Sequence, residues 1–93
     1  MEIQRTEEGS KGKFFSEKDG EEAAEMTYTM AGETRMIIDH TGVEDSLRGT
    51  GAGKQLIKAG VEFARERGFT VLPLCPFAKA IIGKIPELQD VLK

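Results

Sequence analysis

The chain has no tryptophan, one tyrosine, one histidine and one cysteine, and three prolines among its 93 residues. A single cysteine cannot close an internal disulfide, so a reducing, cytoplasmic setting is expected. No apolar run approaches the ~20 residues a bilayer helix needs. The stretch Met1-Glu2-Ile3-Gln4-Arg5 has none of the apolar character of a signal peptide. Scarce aromatics and the absence of a dense basic stripe argue against nucleic acid as a partner. What the chain does have is charge, at 31% of residues, and 11 glycines beside a 39% hydrophobic fraction. That mixture suits one small, soluble, turn-rich domain spanning residues 1–93. Large enzymes, multi-domain machines and disulfide scaffolds are excluded, which leaves a small enzyme or a binding module.

The net charge of -3 conceals an uneven distribution. Residues 1–47 carry five basic against twelve acidic side chains, a balance of -7. Residues 48–84 carry seven basic against two acidic ones, a balance of +5. A basic segment on an acidic chain is a candidate seat for an anionic ligand. Arg65 and Arg67 also fit simple decoration of a helix carboxyl end, so Arg48 and Lys54 are the stronger ligand candidates.

The first half of the chain alternates with a period of two. Strands are expected at Ile3 to Arg5, Lys13 to Glu17, Glu25 to Met30 and Thr34 to Thr41, separated by the turns Gly9-Ser10-Lys11-Gly12, Asp19-Gly20 and Ala31-Gly32-Glu33. Strict alternation puts Met36, Ile38 and His40 on one face of the fourth strand, with Ile37 and Asp39 on the other. The period then changes: residues 50–67 read as a helix with Ala52, Leu56, Ala59, Gly60, Phe63 and Ala64 near one face and Ile57 and Val61 widening it. Gly68 suits the position just past its end. Thr70 to Leu74 reads as a buried strand, Pro76 opens a second helix to about Lys84, and Pro86 restarts a last turn or two where Leu88, Val91 and Leu92 would dock. The order β-β-β-β-α-β-α predicts an α+β fold with a mixed, mostly antiparallel sheet and helices packed on it.

Between the fourth strand and the first helix lies Leu47-Arg48-Gly49-Thr50-Gly51-Ala52-Gly53-Lys54-Gln55. Glycine costs about 1 kcal/mol per helical position relative to alanine, so a cluster of three asks for a compensating reason. Unpartnered amides at a helix start, with the dipole behind them, make a phosphate seat, and glycines let the ligand approach closely. A P-loop does not fit, because Arg48 stands where the first glycine should be and Gln55 replaces the metal-binding hydroxyl. The dinucleotide pattern fails too, since Gly49-Thr50-Gly51 is followed by Ala52-Gly53 with no repeated βαβ unit. The pattern present is Arg-x-x-Gly-x-Gly, at Arg48, Gly51 and Gly53.

That pattern resembles the pyrophosphate-binding motif of the GNAT superfamily of N-acetyltransferases, which use acetyl-CoA. The ending Val71-Leu72-Pro73-Leu74-Cys75-Pro76-Phe77 with Ile85-Pro86-Glu87-Leu88, and the pair His40-Thr41, resemble its minimal, YjdJ-type members. The resemblance runs from about residue 12 to 92. It departs at Ile85, where such members often have histidine, and at Gly42, where an acidic residue is common, so no role is carried onto Gly42. It implies a central strand-turn-helix CoA site and the absence of the usual amino-terminal helices. Only Thr6 to Gly12 separate the first two strand candidates, too few residues for a helix and its connections. Cofactor contacts are implied for Arg48, Gly49, Thr50, Gly51, Ala52, Gly53 and Lys54 at the diphosphate. Thr41, Val43, Cys75, Pro76 and Phe77 would lie along the pantetheine arm, with the acetyl group near Cys75 and His40. The implied partners are CoA, as cosubstrate, and a small-molecule or peptide amine. No metal, nucleic acid or membrane is expected, and the oligomeric state is left open.

Cys75 precedes a helix start, where the dipole favours a thiolate, so it is a candidate acetyl acceptor or a proton donor to departing CoA. The competing reading is a small buried cysteine packed under the last helix. His40 is the candidate general base, with a strand-end histidine bonded to backbone as the alternative, and Asp39 and Glu44 as weaker bases. Transfer is expected either by direct attack of an amine on the thioester or through an acetyl-Cys75 intermediate. The alternative from another class is a CoA or acyl-CoA-binding module without turnover. It is favoured by the lack of any tyrosine after residue 28, the acid that larger relatives commonly use.

Overall fold

A computed structural model describes residues 2–92. Among them, five strands form one sheet in the order β1-β2-β3-β4-β5. These are β1 (Gln4–Glu8), β2 (Lys11–Lys18), β3 (Glu21–Ala31), β4 (Arg35–Val43) and β5 (Thr70–Pro73). The first four run antiparallel, and β5 lies parallel to β4 after a crossover through helix α1 (Ala52–Arg67). Helix α2 (Pro76–Lys84) and a 3-10 segment (Pro86–Val91) follow. The element order is the expected one, with β1 to β4 longer than expected. β5 stops one residue short of Leu74 and buries only Val71, with Leu72 and Leu74 exposed because it is bordered by a single strand, β4. β1 and β2 are joined by Gly9-Ser10 alone, with no room for an intervening helix.

All the helices pack on one face of the sheet. From β3 and β4 that face carries Met26, Tyr28, Met36 and Ile38; from the helices it carries Leu56, Ile57, Val61, Ala78 and Ile82, all fully buried in one cluster. Phe14, Tyr28, Phe63 and Phe69 extend the cluster toward β1 as tilted and edge-on ring pairs. No helix among the described residues covers the opposite face, where Lys13, Glu25, Thr27, Thr29 and Ile37 alternate with the core residues. The buried Phe15 also belongs to that open face, under the Lys13 ammonium at 5.2 Å from its ring centre.

Two bulges break the alternation. Ser16 pairs with Ala24 while Glu17 pairs with Glu22, which leaves Ala23 extra in β3. Tyr28 pairs with Ile38 while Thr27 pairs with His40, which leaves Asp39 extra in β4. The second bulge corrects the expected faces. Beyond Asp39, His40 pairs with open-face Thr27 and is exposed, while Thr41 pairs with Met26 on the helix side. His40 therefore does not share a face with Met36 and Ile38. A bulge adds one residue without changing residue type, so alternation alone carries it to the wrong side.

Candidate functional site

The glycine turn forms the head of α1 as its composition demands. Gly49 and Gly51 both have positive φ, 84° and 83°, and Gly51 is the residue before the first helical turn. A side chain at either would be strained there. The first amide to bond backward is that of Gln55, which donates to the Gly51 carbonyl at 2.9 Å. The amides of Ala52, Gly53 and Lys54 thus have no intrahelical acceptor, and no side chain caps them. Two exposed cations stand beside them: Lys54, and Arg48, which is paired with Asp45 at 3.0 Å.

These groups open onto a cleft of about 460 Å³. One side is the turn, from Arg48 to Lys54; the other is Thr41 and Val43 of β4 with Phe77 and Ile81 of α2, and Leu47 adds to the wall. Phe77 reaches so close to α1 that a Cβ on Gly53 would fall 2.8 Å from its ring. The cleft is therefore polar and cationic at one end and apolar along its walls, which suits an anionic head carrying a flexible, weakly polar arm.

Cys75 sits behind this wall. It is the residue before the first turn of α2, 5% exposed, and its thiol donates to Thr41 Oγ1 at 3.6 Å. Burial pushes the thiol up, but the amides of Ala78 and Phe77 and the Thr41 hydroxyl outweigh it and bring it below its ordinary value. The β4–β5 pairing ends at Ile38 and Pro73, where the amides of Leu74 and Cys75 both donate to the Ile38 carbonyl. Past this point the bulge and the start of α2 carry the strands apart.

His40 lies on the other side of β4. Its ring leans along the strand, for a Cβ on Gly42 would come 3.2 Å from His40 Nε2. Glu25 is the cross-strand partner of Gly42, so a carboxyl stands beside the ring. Neighbouring Glu22 and partial burial hold that carboxyl above the usual glutamate range. Glu22 itself is held low by the Lys13 ammonium.

Of the residues expected at the site, the cleft brings together Thr41, Val43, Arg48, Gly49, Gly51, Ala52, Gly53, Lys54 and Phe77. Four do not line it, and one of these is His40, exposed on the far face of β4. The Thr50 hydroxyl donates back to the Leu47 carbonyl, Pro76 is exposed at the helix start, and Cys75 reaches the cleft only through Thr41. Leu47 and Ile81 line it without having been expected. Ile81 follows Phe77 by one helical turn, a spacing that could have revealed it. Gly42 and Glu25, the surroundings of His40, left no such signal, because only strand register places them. Among the described residues no cluster of three or more histidine, cysteine or acidic side chains could hold a metal ion, and no helix is long and apolar enough to cross a membrane.

A model of the GCN5-related N-acetyl-transferase family matches residues 13–91. A GCN5-like protein from Staphylococcus aureus, solved by solution NMR, is 39% identical, with a TM-score of 0.76 over 99% of this chain and 87% of that one. The ribosomal-protein-S18-alanine N-acetyltransferase from Escherichia coli has a TM-score of 0.69 at 14% identity, over 84% of this chain and 53% of its own. An aminoglycoside N-acetyltransferase in complex with CoA has a TM-score of 0.66 at 12% identity, over 89% and 88% of the two chains. The last two likenesses are likenesses of fold. No curated protein matches the chain.

Proposed function

The chain belongs to the GCN5-related N-acetyltransferases, and on that premise we propose that it moves the acetyl group of acetyl-CoA to an amine by way of Cys75. The diphosphate of CoA fits the free amides of Ala52, Gly53 and Lys54, with Arg48 and Lys54 as counter-charges. Its pantetheine arm fits the apolar wall of Val43, Phe77 and Ile81. The observation that carries the proposal is Cys75 itself: a nearly buried thiol, eased toward thiolate at the head of α2, touching a residue that lines the cleft.

The chemistry divides into two balanced steps. The Cys75 thiolate attacks the thioester carbonyl; its sulfur bonds to the acetyl carbon, the bond to the CoA sulfur breaks, and CoA leaves as a thiolate that takes up a proton. An amine then attacks acetyl-Cys75, an amide forms, the bond to Cys75 breaks, and the amine's proton passes to a base. His40 suits that last role for an acceptor arriving over the open face, where the strands part beyond Ile38. It is not placed to take the proton of Cys75, from which β4 separates it. A second reading, a CoA-binding module without turnover, draws on the same separation of the two groups.

Intact-mass measurement after brief exposure to acetyl-CoA decides between them. The expected result is one added acetyl group, lost on mild hydroxylamine treatment and absent in Cys75→Ala. Undiminished turnover by Cys75→Ala would sink the covalent route in favour of direct attack. CoA binding without acetylation of the protein or of any amine in a panel of polyamines, amino acids and lysine peptides would support the module.

A further inference from the structure

Thr41 stands between two features that the rest of the chain keeps apart. It lines the cleft, and its hydroxyl oxygen accepts the Cys75 thiol proton at 3.6 Å. It holds this place because of the Asp39 bulge, which turns His40 outward and brings Thr41 in beside Met26. Among the described residues its hydroxyl makes no other hydrogen bond with a side chain, so its own proton is free to turn. β-Branching restricts the side chain's rotation and so fixes the direction of that hydroxyl.

We propose that Thr41 is a positioning residue for Cys75: it aims the thiol toward the cleft and, once the thiol ionises, reverses its bond to donate to the thiolate. The proposal rests on the reading of Cys75 as acetyl acceptor, but concerns the state of the thiol before any acetyl group arrives. The polar groups that bear on the thiol are few. The Phe77 and Ala78 amides act from its own helix and Thr41 acts from β4, and no charged side chain from β4, β5, α1 or α2 contributes. The Thr41 amide also bears on the sulfur, and because it remains in every Thr41 variant the comparison isolates the hydroxyl. A hydrogen bond to a charged group lost at a partly buried site is a substantial fraction of the preference for that charge.

Alkylation of Cys75 by iodoacetamide, followed against pH without CoA present, tests this directly. Thr41→Val is expected to move the midpoint of the profile to higher pH and to slow alkylation at neutral pH roughly tenfold. Thr41→Ser, which keeps the hydroxyl, should stay near the wild-type profile. In acetyl transfer, Thr41→Val should lower kcat more than it raises KM for acetyl-CoA. If the valine variant fails to give a folded NMR spectrum, Thr41→Ala removes the same hydroxyl without adding bulk. A hydroxyl-free variant that folds and keeps the wild-type alkylation profile overturns the proposal. A shifted profile combined with undiminished turnover in Cys75→Ala leaves the role of Thr41 standing and removes the covalent reading instead.

Discussion

At the scale of single residues, rings set the limits on several positions. A Cβ on Gly12 would run into the Tyr28 ring, whose hydroxyl accepts a hydrogen bond from Arg5 at 2.9 Å. The ring is fully buried and cannot swing away, so Gly12→Ala should cost about 1–3 kcal/mol, read as a lower midpoint in urea unfolding. Gly53→Ala acts differently, because Phe77 is 40% exposed and free to yield. Its expected effect is small on stability and clear on the cleft: several-fold weaker binding of CoA by calorimetry, as the displaced ring intrudes on the arm's path. The sequence announced Gly53 through its spacing from Arg48 and Gly51, a local pattern that depends on the next few residues alone. It could not announce Gly12, whose reason is an aromatic ring on the next strand, placed opposite it by register.

At the scale of elements, the helices and strands were readable because each follows a hydrophobic period, and Pro76 and Gly68 mark ends that the structure keeps. Strand lengths and the two bulges were not, for they depend on pairing with a neighbouring strand. The cost of that blindness falls on His40 and Thr41, whose faces alternation exchanged. The docking of the 3-10 segment was half legible: Leu88 and Val91 are buried as their pattern suggests. Its polar clasp, in which the Arg65 guanidinium spans both Asp90 carboxylate oxygens and the Glu87 carbonyl, was not. Arg65 holds the Asp90 carboxyl below the ordinary aspartate range. A depressed carboxyl contributes stability that is present above its ordinary pKa and lost as the pH falls through the depressed one. Amide exchange in residues 86–92 should therefore quicken, relative to the rest of the chain, as the pH drops below the usual carboxylate range. Asp90→Asn should remove most of that pH dependence.

At the scale of the whole molecule, the uneven charge acquires a place. Arg48 and Lys54 of the basic stretch stand at the head of α1, with Arg65 and Arg67 at its other end, while four of the acidic strand residues, Glu8, Glu22, Glu25 and Asp39, belong to the face or edge that no helix covers. CoA binding should accordingly weaken as salt is added. At a hundred times its dissociation constant CoA should add about 2.7 kcal/mol to stability, an upward shift of Tm on the order of 10 °C for a domain of this size. An unchanged Tm would mean that the cleft does not take the cofactor. The clasped tail also bears on how copies of the chain treat one another. Leu92 bridges Val71 along the free side of β5, and at the far end of the sheet β1 presents Arg5, Glu7 and Glu8. One border of the sheet is thus occupied and the other is charged, so neither invites a strand from a second molecule. Releasing the tail, by acid or by truncation before Pro86, uncovers the occupied border and should promote slow formation of β-rich aggregates, read as a rise in thioflavin fluorescence.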